Sequence, residues 1–204
     1  MEQLFNQLSE TLLNNLQNGE DLKLTIGGEN SQFIRFNQSK VRQSGLVDDA
    51  SLSIVLIKDE RTCSGSFTLT GNISTDEATA MAELNRLRTE VGTLPKDPFV
   101  VMPEDAGSSR EEHNGSLLNK EEAVSALSPA MQGVDLAGIW ATGRIFTGNA
   151  NSAGQKHWFA TDTFSLDYSL ITPDERMVKA PSPAAIGTNL NMRIIWQNQL
   201  LNCG

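Results

Sequence analysis

The chain has 204 residues, 39% hydrophobic and 20% charged, with a formal net charge of -9 and a pI of about 4.7. That length allows one large domain or two small ones, each with a real core. The acidic field repels phosphate backbones and argues against general nucleic-acid affinity, and no apolar run approaches the ~20 residues needed to cross a bilayer.

The first stretch, "MEQLFNQLSETLLNNLQNG", carries Glu2 and no early Lys or Arg. It lacks the basic start and long apolar run of a signal peptide, so the sequence predicts a cytoplasmic protein with no membrane contact. In that compartment Cys63 and Cys203 are expected to be reduced. Cys63 lies in a strand-like stretch and reads as a small buried hydrophobe.

In chain order, a helix comes first. Leu4, Phe5, Leu8, Leu12, Leu13 and Leu16 form a stripe at helical spacing, and Asn18-Gly19 offers the stop. Strand patterns follow. "DLKLTIGG" alternates through Leu22, Leu24 and Ile26, and in "QFIRFN" Ile34 and Phe36 face away from Phe33 and Arg35. The polar turn Asn37-Gln38-Ser39 leads into "KVRQSGLV", as in a hairpin. "SLSIVLIKD" alternates through Leu52, Ile54 and Leu56, turns at Asp59-Glu60 and returns as "RTCSGSFTLTG". The basic residues Arg35, Lys40, Arg42, Lys58 and Arg61 read as water-facing positions of this sheet, beside acidic turns that pair with them weakly. A substrate-lining role stays open for Arg35.

A second helix is predicted over "STDEATAMAELNRLRTEVGTLP", with Ser74 and Glu77 as a capping box. Ala78, Met81, Leu84, Leu87 and Val91 form its buried stripe, and Gly92 and Pro95 end it. Residues 95–118 read as an irregular connection, with a flexible loop at about 104–118. A third helix fits "NKEEAVSALSPAMQG", capped by Asn119, with Val124 and Leu127 inward and Pro129 distorting or ending it. Two long strands, "DLAGIWATGRIFTGNAN" and "HWFATDTFSLDYSLIT", are joined by the hairpin loop "GNANSAGQ". From Pro181 the tail has no obvious strand partner and could carry a short helix. The sum is an α+β fold: an antiparallel, mostly meander sheet covered by two or three helices.

Chemistry-bearing motifs are scarce. His113 and His157 belong to no H-E-x-x-H pair, and there is no C-x-x-C. The glycine-rich stretches form neither a P-loop nor a dinucleotide fingerprint, and "SGSF" is not G-x-S-x-G. Asp162 and Asp167 lie on opposite faces of one strand and make no carboxylate pair. An exposed sheet edge could still take an extended peptide by strand addition, which relies on backbone groups.

The order of "FIRFNQSKVRQSGLVDDASLSIVLI", "TLTGN", a capped helix, "LPKDPFVVMPE" and "GVDLAGIWATGRIFTGNANSAGQKHWFATDTFSLDYSLI" resembles the TldD/PmbA family over about residues 1–180. That family is metalloprotease-related and was formerly described as modulators of DNA gyrase. The resemblance implies an N-terminal α+β domain joined to a larger β-rich C-terminal domain. It further implies two-subunit assemblies, homo- or heterodimeric, acting on unfolded or flexible peptides. The family's zinc motif belongs to that C-terminal domain. No position here matches it, so no catalytic, cofactor or metal residue is assigned, and zinc is not expected in this chain. Residues 181–204 leave the family pattern, which suggests a truncated reading frame, a shortened homologue or an N-terminal portion. The expected function is a non-catalytic part of such a protein, contributing to a peptide chamber and a subunit interface. The alternative is a stand-alone interaction module linked to gyrase or a toxin–antitoxin partner. A third reading is an enzyme whose site, containing His113 or His157, is assembled in space.

Overall fold

The structure, a computed structural model, describes residues 1–118, 121–171 and 176–180. Its elements are α1 (Glu2–Asn14), β1 (Glu20–Asn37), β2 (Lys40–Lys58), β3 (Arg61–Thr68), α2 (Ile73–Val91), β4 (Ser108–His113), α3 (Ala123–Leu127), a 3-10 turn (Ser128–Met131), β5 (Asp135–Asn151), β6 (Lys156–Ile171) and β7 (Met177–Ala180). The sheet order is β3-β2-β1-β5-β6-β4, and β7 also pairs with β6.

The α+β class is as expected, but the sheet is mixed. β1–β2–β3 is a meander: β2 and β3 pair antiparallel from Ser51↔Thr68 to Lys58↔Arg61. Short connections force the same sense on β1–β2 and β5–β6. β4 breaks the pattern. Asn151 Nδ2 donates to the Glu104 carbonyl, and further along both segments Ser109 meets His157, so β4 runs in the same direction as β6. The segment expected to be a loop therefore holds a strand. Its residues Ser108–His113 are all exposed, so it offers no hydrophobic alternation to read.

Predicted strands also merge. The two patterns before Asn37 form one 18-residue strand, and those after it form one 19-residue strand, with Asp48 and Asp49 inside β2 and not in a turn. Both hairpin tips are two-residue turns with left-handed backbone: Gln38 and Ser39 (φ 52 each), Asp59 (φ 50) and Glu60 (φ 61).

The chain divides into two compact units. The first comprises Met1–Gly28, Asp49–Glu112 and Phe146–Ala160; the second comprises Glu29–Asp48, His113–Ile145 and the described residues from Thr161 on. In the first, Leu22, Leu24 and Ile26 of β1 and Leu52, Ile54 and Leu56 of β2 pack with Phe5, Leu8 and Leu12 of α1 and Leu84, Leu87 and Val91 of α2. Alternation puts these strand residues on one face, and both helices supply the cover. Gly28 has no room for a side chain: a Cβ there would lie 2.4 Å from the Asp49 carbonyl oxygen and 2.6 Å from the Phe146 ring. In the second unit, Ile34, Phe36, Leu136, Trp140, Phe164, Leu166 and Tyr168 pack with Ala123, Leu127 and Met131.

The helices depart from expectation in detail. α1 ends at Asn14, ahead of Asn18-Gly19. α2 is capped by Asn72, whose side chain accepts from the Thr75 amide, and not by Ser74. The shift follows from Asp76, which is buried and accepts from the Thr70 and Gly71 amides and the Thr70 hydroxyl, fixing the approach to the helix. The Glu77 carboxylate is taken by the Thr11 hydroxyl of α1. The buried face is then Asp76, Ala80, Leu84, Leu87 and Val91, while Ala78 is exposed. α3 is one turn, and the 3-10 turn takes over where Pro129 lies. It buries Ala123 and Leu127 and leaves Val124 exposed. The expected cap Asn119 and the tail from Pro181 lie outside the described residues.

Candidate functional site

The first unit gathers its polar side chains around the β5–β6 hairpin. Asn151 is the keystone. Its Nδ2 donates to the Glu104 carbonyl (3.0 Å) and to Gln155 Oε1 (2.9 Å), and its Oδ1 accepts from the Ala153 and Gln155 amides. Ser152 follows: its hydroxyl donates to Asp21 (2.7 Å) and accepts from the Leu22 amide (3.2 Å). The Asn-Ser-x-Gly stretch therefore fastens the hairpin to β1 and to the connection before β4. Its polar groups are spent on backbone and on the neighbouring Asp21 and Gln155 side chains, which gives them a structural role.

A cleft of about 470 Å³ opens beside this hairpin, lined by Lys23, Thr25, Val101, Met102, Asn149 and Gln155 among others. Lys23 Nζ donates to the Val101 carbonyl (2.6 Å), which ties the connection to β1. On this connection Phe99 is 85% and Val101 72% exposed, an apolar lip beside a polar wall.

A second cleft of about 310 Å³ lies between α1, β4 and β6, with Glu2, Asn6, Ser109, Arg110, His157 and Trp158 on its walls. His157 is bracketed: Nδ1 lies 2.8 Å from Ser109 Oγ, and Nε2 lies 2.8 Å from the Gln155 amide nitrogen. Gln155 and His157 share a side of the chain by their i, i+2 spacing. Both ring nitrogens are therefore engaged by neighbouring side chains. Arg110 is held by Glu2 (2.8 Å) and Glu112 (2.7 Å). The cleft thus sets hydroxyl, amide and imidazole groups beside a compensated cation, a lining suited to hydrogen-bonding an extended polar ligand.

The structure brings His157 to Ser109; His113 ends β4 and is exposed. Ser109 was hidden from the sequence because its strand was. In the second unit, Arg144 pairs with Asp162 (3.2 Å), which also accepts from the Gly115 amide, while Asp167 pairs with Lys179. Arg35, Lys40 and Arg42 are exposed. Lys58 is drawn to Glu20, and Arg61 donates to the Leu94 carbonyl. Cys63 is buried, and burial, helped by a hydrogen bond and charge from Glu90, pushes its thiol up, away from nucleophile chemistry. Among the described residues no group of three or more His, Cys, Asp or Glu is placed to hold a metal ion, and no helix is long and apolar enough to cross a membrane.

A mixed α+β sheet of this kind, with long strands shared between two clusters, has counterparts among solved structures. It matches TldE from Thermococcus kodakarensis with a TM-score of 0.71 at 13% identity, covering 96% of this chain and 46% of that one. It also matches a candidate modulator of DNA gyrase from Thermotoga maritima (TM-score 0.58, 15% identity, 87% of this chain and 41% of that one). A third match is a candidate gyrase modulator from Bacteroides thetaiotaomicron (TM-score 0.55, 16% identity, 88% and 43%). The chain spans less than half the length of each. No family profile and no curated protein sequence matches it. The resemblance read from the sequence is thus borne out at the level of the fold.

Proposed function

We propose that this chain is a non-catalytic portion of a TldD/PmbA-type, metallopeptidase-related protein, and that it supplies wall and subunit surface to a chamber admitting flexible peptides. The observation that carries this reading is the fold likeness to TldE, which takes in 96% of this chain and 46% of that one. The two clefts support it. Their linings are amides, hydroxyls and compensated charges beside an apolar lip, a surface that holds a peptide backbone without activating a bond. The hydrolytic centre of the assembly belongs to sequence with no match here.

The test is metal analysis of the purified chain alongside a peptidase assay on an unstructured peptide. The expected result is no stoichiometric zinc and no cleavage. Bound zinc that disappears in His157→Ala would overturn the reading.

A further inference from the structure

We propose that Asn114-Gly115 is a self-modifying site: the fold promotes closure of the Asn114 side chain onto the Gly115 amide nitrogen, with loss of ammonia. The pair directly follows β4. A closed set of bonds joins the two groups that must react. Arg144 Nη1 donates to Asn114 Oδ1 (3.0 Å) and to Asp162 Oδ1 (3.2 Å), and the Gly115 amide donates to Asp162 Oδ2 (3.1 Å). A guanidinium has no acceptor, so the oxygen of the Asn114 amide is the atom that faces it. The Asp162 side chain is 17% exposed and that of Arg144 33%, which spares this set much of the screening that weakens a surface pair. All four residues belong to the second unit.

Cyclisation of an asparagine needs a polarised amide carbonyl, a backbone nitrogen that can shed its proton, and a next residue that does not obstruct the approach. Gly115 meets the last requirement by having no side chain. The Arg144 cation lies where negative charge develops on Asn114 Oδ1 as the Gly115 nitrogen adds to Cγ. Asp162 takes the Gly115 proton as the N–Cγ bond forms and returns it to the departing nitrogen as the Cγ–Nδ2 bond breaks. Ammonia leaves and a five-membered succinimide remains. Water then opens the ring at either carbonyl, giving aspartate or isoaspartate, and no other reagent is required. The new carboxylate adds one negative charge and sets a second acid beside Arg144, next to Asp162. The opposite reading is a clamp, in which the same bonds hold the loop still and slow the reaction.

The other Asn-Gly pair of the chain, Asn18-Gly19, supplies the comparison. It is exposed, and among the described residues neither the Asn18 side chain nor the Gly19 amide is bonded to a carboxylate or a guanidinium. The experiment is incubation of the full chain at neutral pH, folded in buffer and unfolded in guanidinium chloride. Mass spectrometry of the peptides carrying Asn18 and Asn114 follows conversion of amide to acid, and circular dichroism verifies folding. Asn114 is expected to convert about tenfold faster in the folded chain than in the unfolded one, because the reacting groups are already placed. Asp162→Asn and Arg144→Gln should each slow Asn114 by about tenfold relative to Asn18 in the same sample. A folded chain that converts Asn114 no faster than the unfolded chain establishes the clamp and overturns the proposal. So does either variant that folds yet leaves the ratio of Asn114 to Asn18 unchanged or raises it. Should a variant fail to fold, the comparison of folded with unfolded wild-type chain decides alone.

Discussion

β2 is one continuous strand with two unlike halves. Ala50, Leu52, Ile54 and Leu56 are buried and feed the first cluster, while Lys40–Asp48 feeds none. In the second unit the apolar surface comes instead from β1, β5, β6 and the short helical turns. The same backbone geometry thus serves as core wall in one place and as open rim in another. Side chains and cover decide which, since strand propensity measures fit to a half-buried surface and not an intrinsic preference of the chain.

The largest effect is expected where the second unit concentrates its packing. Trp140 is fully buried, and Trp140→Ala should cost about 3–5 kcal/mol by denaturant titration, seen first in probes of that unit. Next, Leu52→Ala should cost about 2–5 kcal/mol, whereas Leu46→Ala in the other half of β2 should stay within about 0.5 kcal/mol. Equal losses at both positions would erase the distinction between the halves.

A smaller effect separates the first unit by charge. The Glu20 side chain is buried, with Arg88 at 2.9 Å and Lys58 at 3.4 Å. Burial alone raises its pKa, but hydrogen bonds from Arg88 and the Gln17 amide, the Arg88 charge and Lys58 outweigh it and hold the carboxyl below its ordinary value. A depressed folded pKa contributes stability that is present above the unfolded value and lost as pH falls through the folded one. Wild-type stability should therefore decline more steeply than that of Glu20→Gln in acid titrations below about pH 4.5. At neutral pH the variant should be weaker by about 1–3 kcal/mol, the range for a buried group losing its partner.

The mildest test uses Cys63 in a Cys203→Ser background. Its buried, raised thiol should react with a disulfide reagent at neutral pH only as fast as the first unit opens, and full reactivity should appear in denaturant.

Much of this organisation was legible. The stripe of α1 and the burial of Leu84, Leu87 and Val91 follow from periodicity alone, and β5 and β6 stand where the two long strands were expected. Four features escaped. β4 is exposed along its length and shows no alternation, so nothing in "SSREEH" distinguishes strand from loop. The start of α2 depends on Asp76 reaching back to Thr70 and Gly71, a tertiary choice between adjacent caps. The pairing of Ser109 with His157 joins residues 48 apart through a strand of which the sequence carries no trace. The polar hairpin "GNANSAGQ" was visible as a turn, yet its grip on Leu22, 130 residues away, was not.

That last grip has a consequence for how the chain comes together in time. During synthesis, β1, β2, β3 and α2 are complete once the first 91 residues have emerged, and they can associate at once. The far edge of β1 must wait for β5, more than 40 residues later, before its backbone groups are matched. Nascent chains should therefore pass through a stage in which Leu22–Ile26 borders an open ribbon. Such a stage favours chaperone capture and slows maturation relative to a protein built from local contacts.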